Sequence, residues 1–165
     1  MSVLRLVPVL LVSLTIAASP SQAQNRPGEA LPIPRYVSLK KDEVNVRAGP
    51  GPQYPIEWIF ARQHMPVEVL QEFQHWRKIR DIEGAEGWVH SSMLSAKRYA
   101  LITGETRTLR RRPETDAALA ARLEPGVIAQ VVECQAQWCR LEVGSIKGWL
   151  TRAEFWGVYP NETVK

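Results

Sequence analysis

The chain of 165 residues has two cysteines, three histidines, no glycine-rich phosphate loop and no apolar run of 18 residues. Each shortage excludes something. A helix crossing the hydrocarbon core needs roughly 18 or more consecutive apolar residues, so no membrane span is expected. His64, His75 and His90 stand 11 and 15 residues apart. No pair has the spacing of a metal-binding helix face, so no metal is expected and the three rings read as solvated. Lys plus Arg is 21 against 17 Asp plus Glu, an excess too mild to invoke nucleic acid. No cofactor fingerprint is present, and none is expected to bind. What is there is a chain 45% hydrophobic, with twelve prolines and six tryptophans, too apolar for a disordered tail.

The amino-terminal stretch must be set aside before fold reasoning. Arg5 is the only charge among the first 23 residues, Leu6 to Ala18 is an apolar run of 13, and Ser21-Gln22-Ala23 supplies small side chains at a cleavage site. Charged start, apolar middle and small-residue exit describe a cleavable signal peptide over residues 1–23. The alternative, a buried core helix, is poorly suited by Pro8 and Pro20. No cysteine follows the cut to carry a lipid, and no twin-arginine pair precedes the run. The expected location is periplasmic or secreted, with residues 24–34 as a proline-rich linker.

The remainder repeats itself. Val46 and Leu109 stand 63 apart, as do Pro50 and Pro113; Trp76 and Trp138 stand 62 apart, and Trp88 and Trp149 stand 61 apart. Offsets drifting by only two residues indicate a duplicated unit of about 60 residues. Within each unit the period is that of strands: Val44 and Val46 alternate with Asn45 and Arg47, and Cys139, Leu141 and Val143 follow the same period of two. Gly49-Pro50-Gly51-Pro52, Glu83-Gly84, Pro125-Gly126 and Gly144-Ser145 supply turns between them. Ala117 to Leu123 is the only good helical pattern, and it reads as a loop excursion or a single turn. Short strands with turns at this spacing predict an all-β protein of small sandwiches or barrels.

Val37-Ser38-Leu39-Lys40 with Val44-Asn45-Val46-Arg47 and Gly49-Pro50 resembles the start of a bacterial SH3-like domain. Trp76-Arg77-Lys78-Ile79 and Gly87-Trp88-Val89-His90 are similar to its later strands. The tandem arrangement, with Trp138-Cys139-Arg140 in the second copy and Trp156-Gly157-Val158-Tyr159-Pro160 at its end, resembles exported proteobacterial proteins largely of unknown function. The second copy departs from the pattern where Arg110-Arg111-Arg112 replaces the Arg-Ala-Gly of the first. The resemblance implies two tandem SH3-like small barrels, each of five or six strands, joined through Ala100 to Arg107. The expected units are residues 35–101 and 102–160, followed by a tail over 161–165. So small a unit leans on large side chains, and Trp76 with Trp88 and Trp138 with Trp149 are expected to supply core burial. Trp58 and Trp156 fall outside the repeated pattern.

Cys134 and Cys139 enclose four residues between strand-like runs, so a hairpin brings them opposite one another. Cross-strand Cβ atoms are about 4.5–5.5 Å apart, and an oxidising compartment favours a disulfide over two free buried thiols. A disulfide removes the obvious thiol nucleophile. Asp81, Glu83 and Glu86 surround a tight turn, where solvated acids are ordinary, and Asn161-Glu162-Thr163 reads as a chance sequon. No enzyme is expected.

Binding remains. Ala48 to Trp58 is proline-rich and carries Tyr54 and Trp58. By resemblance, the long loop here and the turn His90 to Leu94 frame a groove for extended peptides. Arg47, Tyr54, Trp58, Trp76 and His90 are the expected ligand-binding residues, suited to an extended chain bearing a carboxylate. The expected partner is a peptidoglycan peptide or an envelope-protein segment. On the other reading, Tyr54 and Trp58 simply close the barrel. A rival function uses Arg107, Arg110, Arg111 and Arg112 to dock weakly on an anionic membrane or glycan, or leaves them as a charged, aggregation-resistant edge strand. A third makes the chain an accessory subunit of an envelope complex.

Overall fold

The computed structural model describes Leu31 to Lys165, so the expected signal peptide and residues 24–30 of the linker lie outside the described residues. Fourteen strands form two seven-stranded antiparallel sheets. The first contains β1 (Arg35–Leu39), β2 (Val44–Arg47), β3 (Ile56–Phe60), β4 (Pro66–Phe73), β5 (Trp76–Arg80), β6 (Glu86–His90) and β7 (Leu94–Ser95). The second contains β8 (Tyr99–Ile102), β9 (Arg107–Arg110), β10 (Leu119–Leu123), β11 (Ile128–Gln135), β12 (Trp138–Val143), β13 (Ile146–Thr151) and β14 (Phe155–Trp156). The strand order is β3-β2-β6-β5-β4-β1-β7, and the second sheet repeats it seven labels on. Even the irregularities match: β4 shifts register between Val69 and Gln71, and β11 between Val131 and Glu133. A 3-10 turn at Ser91–Met93 or Arg152–Glu154 precedes each final strand. Among the described residues no helix is long and apolar enough to cross a membrane.

The duplication and the all-β architecture follow the sequence pattern, but the cores are not built of indoles. Alternation along β5 and β6 turns Ile79 and Val89 inward with Val44, Val46, Val67 and Val69. Trp76 and Trp88, of opposite parity to these, are thereby placed on the outer face. Leu141 and Leu150 likewise send Trp138 and Trp149 outward. All four indoles are half-buried, covering strands rather than filling the barrels.

Gly87 and Gly148 occupy the inward positions beside Trp88 and Trp149, where β6 approaches β2 and β13 approaches β9. A Cβ on Gly87 would lie 2.3 Å from Val46 Cγ1, and one on Gly148 would lie 2.6 Å from Leu109 Cγ. Glycine is therefore what allows the neighbouring strand's core side chain to pass.

Other expectations are corrected. Leu119 to Leu123 is a strand, because pairing with β9 outweighs the helical preference of its Ala and Leu residues. Tyr99–Ile102, which the expected unit boundary divides, belongs wholly to the second sheet through β11 and β14. Residues 161–165 are docked: Val164 is buried in the second core, and its carbonyl accepts from Cys134 N–H at 3.0 Å. The Cys134–Cys139 disulfide forms, across directly paired positions of β11 and β12.

Pro32 to Lys165 is one compact unit, and the seam between the sheets is polar and aromatic. Tyr36 of β1 meets Trp156 edge-on at 5.0 Å and Tyr159 at 4.7 Å, with Arg98 over its ring at 5.7 Å. Glu68, only 5% exposed, accepts from the Tyr159 hydroxyl at 2.5 Å and from Arg80 Nε at 3.1 Å. Arg98 binds the Glu162 carboxylate and the Gly157 carbonyl. His64 stacks on Tyr99 at 4.3 Å, and Arg62 donates to the Gly126 carbonyl. Burial, then the charge of Glu68, pushes the Tyr36 hydroxyl up to about 12. Burial and its bond to Glu68 raise Tyr159 as well. Burial, the largest single influence, would raise Glu162, but the hydrogen bonds from Arg98 and Tyr159 N–H and the charges of Arg98 and Arg152 together outweigh it and hold the carboxyl below its ordinary range.

Candidate functional site

Directly opposed residues of antiparallel strands point to the same face. Arg47 pairs with Trp88, Trp88 with Lys78, and Trp76 with His90. The outer face of β2, β6 and β5 therefore carries two rows, Arg47–Trp88–Lys78 and His90–Trp76. The His90 ring stands edge-on to Trp76 at 5.4 Å. Its Nδ1 accepts from Ser92 N–H at 3.3 Å and lies 2.7 Å from Ser92 Oγ. An acceptor at Nδ1 puts the proton of the neutral ring on Nε2, where it can donate to a ligand.

Of the five expected groove residues, three lie on this face: Arg47, Trp76 and His90. Trp58 does not. It pairs with Val46, turns toward the core and comes within 3.2 Å of the position a Gly87 Cβ would take. Its indole packs against the first core. Tyr54 is 39% exposed, with its ring folded over Gly49 at the tip of the loop. Arg47 is not a spare cation: Nη1 donates to the Tyr54 carbonyl at 2.7 Å and to the Pro52 carbonyl at 3.3 Å, pinning the loop. Trp88, between Arg47 and Lys78, is the face residue that the expected set omitted. The signal for it was the alternation Gly87-Trp88-Val89, which allows only one of the two larger residues to face inward.

The second copy has the same frame. Trp149 pairs with Arg110 and Arg140, as Trp88 does with Arg47 and Lys78. Arg110 Nη1 donates to the Ala117 carbonyl at 3.0 Å, so it pins its loop as Arg47 does. The basic run is accordingly engaged. Arg107 donates to the Thr103 carbonyl, Arg111 to the Leu119 carbonyl, and Arg112 pairs with Glu114 at 3.4 Å. Nor is β9 an edge strand, since it lies between β10 and β13.

The rims differ. Arg152 ties the β11–β12 turn to the C-terminal segment, donating from Nε to the Ala136 carbonyl and from its Nη atoms to those of Tyr159 and Glu162. The matching turn of the first copy holds His75, exposed, whose ring lies 6.0 Å from that of His90. Two of the histidines expected to be merely solvated thus meet each other, and the third packs on Tyr99. Asp81 caps its own turn, accepting from Glu83 and Ala85 N–H, each at 2.9 Å, while Glu86 pairs with Lys78. A cavity of about 530 Å³ follows the seam between β11 and the C-terminal segment and contains none of the expected groove residues.

A family profile described as bacterial SH3 domain matches twice, over residues 40–96 and 104–157. A Bacillus subtilis (strain 168) protein provisionally named N-acetylmuramoyl-L-alanine amidase YrvJ is 27% identical over 124 residues. That match covers 68% of this chain and spans only 24% of the relative's length. Among solved structures, NlpC2 from Trichomonas vaginalis aligns at a TM-score of 0.36 and 9% identity, over 81% of this chain and 51% of its own. An NlpC/P60 family protein from Bacillus cereus ATCC 10987 aligns at 0.34 and 13% identity, over 74% of this chain and 56% of its own. Likenesses of that degree add nothing to what the strand order already shows.

Proposed function

We propose, from the premise that this chain belongs to the bacterial SH3 domain family, that it is a non-catalytic binding protein of the cell envelope. It works outside the cytoplasm and recognises an extended peptide of the wall on the outer face of its first copy. The observation that carries this reading is the pair of half-buried indoles, Trp76 and Trp88, set beside a histidine with a free Nε2 on one sheet face. Exposed indole faces give large contact area at little conformational cost, and one oriented donor suits a peptide carbonyl. Arg47 serves as a positioning residue, holding the proline-rich loop beside Trp88. Tyr54 supplies a further exposed ring at the loop tip. The wall is favoured as the source of the peptide because the relative's name denotes cleavage between N-acetylmuramoyl and L-alanine, where wall glycan meets wall peptide. That activity stays with the relative, of which this chain spans about a quarter.

Retention on purified peptidoglycan sacculi at low and high salt tests the proposal. Trp88→Ala should lower retention about tenfold, the cost of truncating an aromatic anchor, while Trp149→Ala should change it less than about twofold. Binding should persist at high salt, because stacked rings are not screened. Retention indifferent to Trp88→Ala would overturn the site, and no retention under either condition would favour an accessory-subunit role.

A further inference from the structure

We infer a two-imidazole site for a late transition-metal ion, formed by His75 and His90 at the end of the β5–β6 ladder. His75 sits in the β4–β5 turn and His90 ends β6, and the pairing of Trp76 with His90 sets the two rings side by side. Their centroids are 6.0 Å apart with the planes inclined by 35°. Two imidazoles sharing one ion through bonds of about 2.0–2.1 Å have centroids roughly 5–6 Å apart, so a small turn of the exposed His75 ring closes the gap.

The supports are in place. Ser91 N–H donates to the His75 carbonyl at 2.8 Å, and Arg77 donates to the flanking carbonyls of Gln74 and Trp76, each at 2.9 Å. The backbone bearing His75 is thereby held while its ring stays free. The His90 ring is held by Trp76 on one side and by Ser92 at Nδ1. When Nε2 becomes the ligand, its proton relocates to Nδ1 and is donated to Ser92 Oγ, replacing the bond that Nδ1 accepted from Ser92 N–H. The neutral ring stays neutral and the acquired hydrogen bond orients it, as carboxylate, carbonyl or water partners do for ligating histidines. Arg77, whose guanidinium holds the turn, is itself paired with Glu72 at 3.0 Å.

No group of three or more metal-ligating side chains occurs among the described residues, so the other coordination positions would be filled by water or an incoming ligand. Imidazole suits Cu(II), Ni(II) and Zn(II), and Cu(II) binds such donors most strongly. The second copy provides an internal control. There Gln137 and Thr151 take the two places, with the same backbone bond from Arg152 N–H to the Gln137 carbonyl at 2.9 Å.

Calorimetric titration of the purified, tag-free protein with Cu(II), and separately with Zn(II), tests the site without any wall ligand. Its failure would therefore leave the peptide-binding proposal standing, and the converse holds as well, since a bound ion and a peptide carbonyl would compete for His90 Nε2 and each is tested without the other. One equivalent should bind, with the Cu(II) paramagnetic resonance spectrum showing two imidazole nitrogens. His75→Gln and His90→Thr, which copy the second repeat, should each weaken binding at least about tenfold, and Ser92→Ala by up to about tenfold. His64→Gln, altering the ring stacked on Tyr99, should change nothing. Unaltered binding in the folded His75→Gln protein, or a spectrum with one nitrogen, would overturn the assignment.

Discussion

The two copies share what faces inward and differ in what lies at the rim. Strand order, bulge position, loop-pinning arginine and the glycine beside the outward tryptophan are common to both. Where the second copy has the Cys134–Cys139 bond, the first has Glu72 opposite Arg77, an ion pair at 3.0 Å. Where the first covers its edge with Trp58 and exposes Ile59, the second has Ala121 and Arg122. Where the first leaves a turn with His75, the second ties its turn to the C-terminal segment. The inner positions are constrained by packing and have stayed alike. The rims are free of that constraint, and one copy has its turn cross-linked and tied to the C-terminal segment while the other leaves the matching turn to His75.

The shared glycines offer the largest test of this likeness. An alanine methyl at 148 would lie 2.6 Å from Leu109 Cγ and 2.7 Å from the Arg110 carbonyl oxygen. At 87 it would meet Val46 Cγ1 at 2.3 Å but the Arg47 carbonyl only at 3.2 Å. A valine methyl can rotate away, whereas a ladder carbonyl cannot. Gly148→Ala should therefore cost about 3 kcal/mol and Gly87→Ala about 1–2 kcal/mol, within the usual range for overpacking. Urea unfolding read by amide exchange in each copy would measure both, and a reversed order would break the argument from backbone rigidity.

The cross-link gives a smaller and more one-sided effect. Closing so short a loop stabilises by about 2 kcal/mol, whereas a partly exposed ion pair contributes about 0–1 kcal/mol. Cys134→Ser with Cys139→Ser should speed exchange in the second copy, including around Val164, whose carbonyl is held by Cys134 N–H. Glu72→Ala should leave the first copy nearly unchanged. Equal losses would show that the two rims are energetically equivalent despite their chemistry.

The parts of the structure legible in the sequence were those written in local periods. Alternation yielded strands, the offset tryptophans yielded duplication, and the four-residue spacing of the cysteines yielded their bond. The same alternation already placed Trp88 opposite in parity to Val89, but the size of the indole suggested core. Contacts that depend on register were hidden. His75 and His90 are 15 residues apart, and only the β5–β6 pairing brings them together. Arg47 looked available for a ligand because its acceptors are carbonyls, which every residue carries. Its equivalence with Arg110 was legible in the 63-residue offset, but the loop-pinning bond that the two share was not. The Ala- and Leu-rich stretch after Ala117 carried a helical preference that pairing with β9 overrode.

The finest distinction concerns the seam that joins the copies, and pH resolves it. The Tyr36 hydroxyl titrates at about 12 when folded, against 10 ordinarily, and Tyr159 is raised too. Below pH 10 both hydroxyls are protonated in the folded and unfolded chains, so their stabilisation is fully present. Above it the unfolded chain releases protons that the folded one retains, and stability falls across roughly pH 10 to 12. Glu162, held below its ordinary 4.5, acts in the opposite direction: its contribution is present above that value and is lost as the pH falls through its folded range. Thermal unfolding followed from pH 3 to 12 should show both declines. Tyr36→Phe keeps the ring against Trp156 and removes one titrating hydroxyl, so the alkaline decline should become shallower with the acid limb unchanged. An alkaline limb identical in Tyr36→Phe would mean that the hydroxyl is as well solvated in the folded chain as in the unfolded one, and that the charge of Glu68 on the paired strand does not reach it.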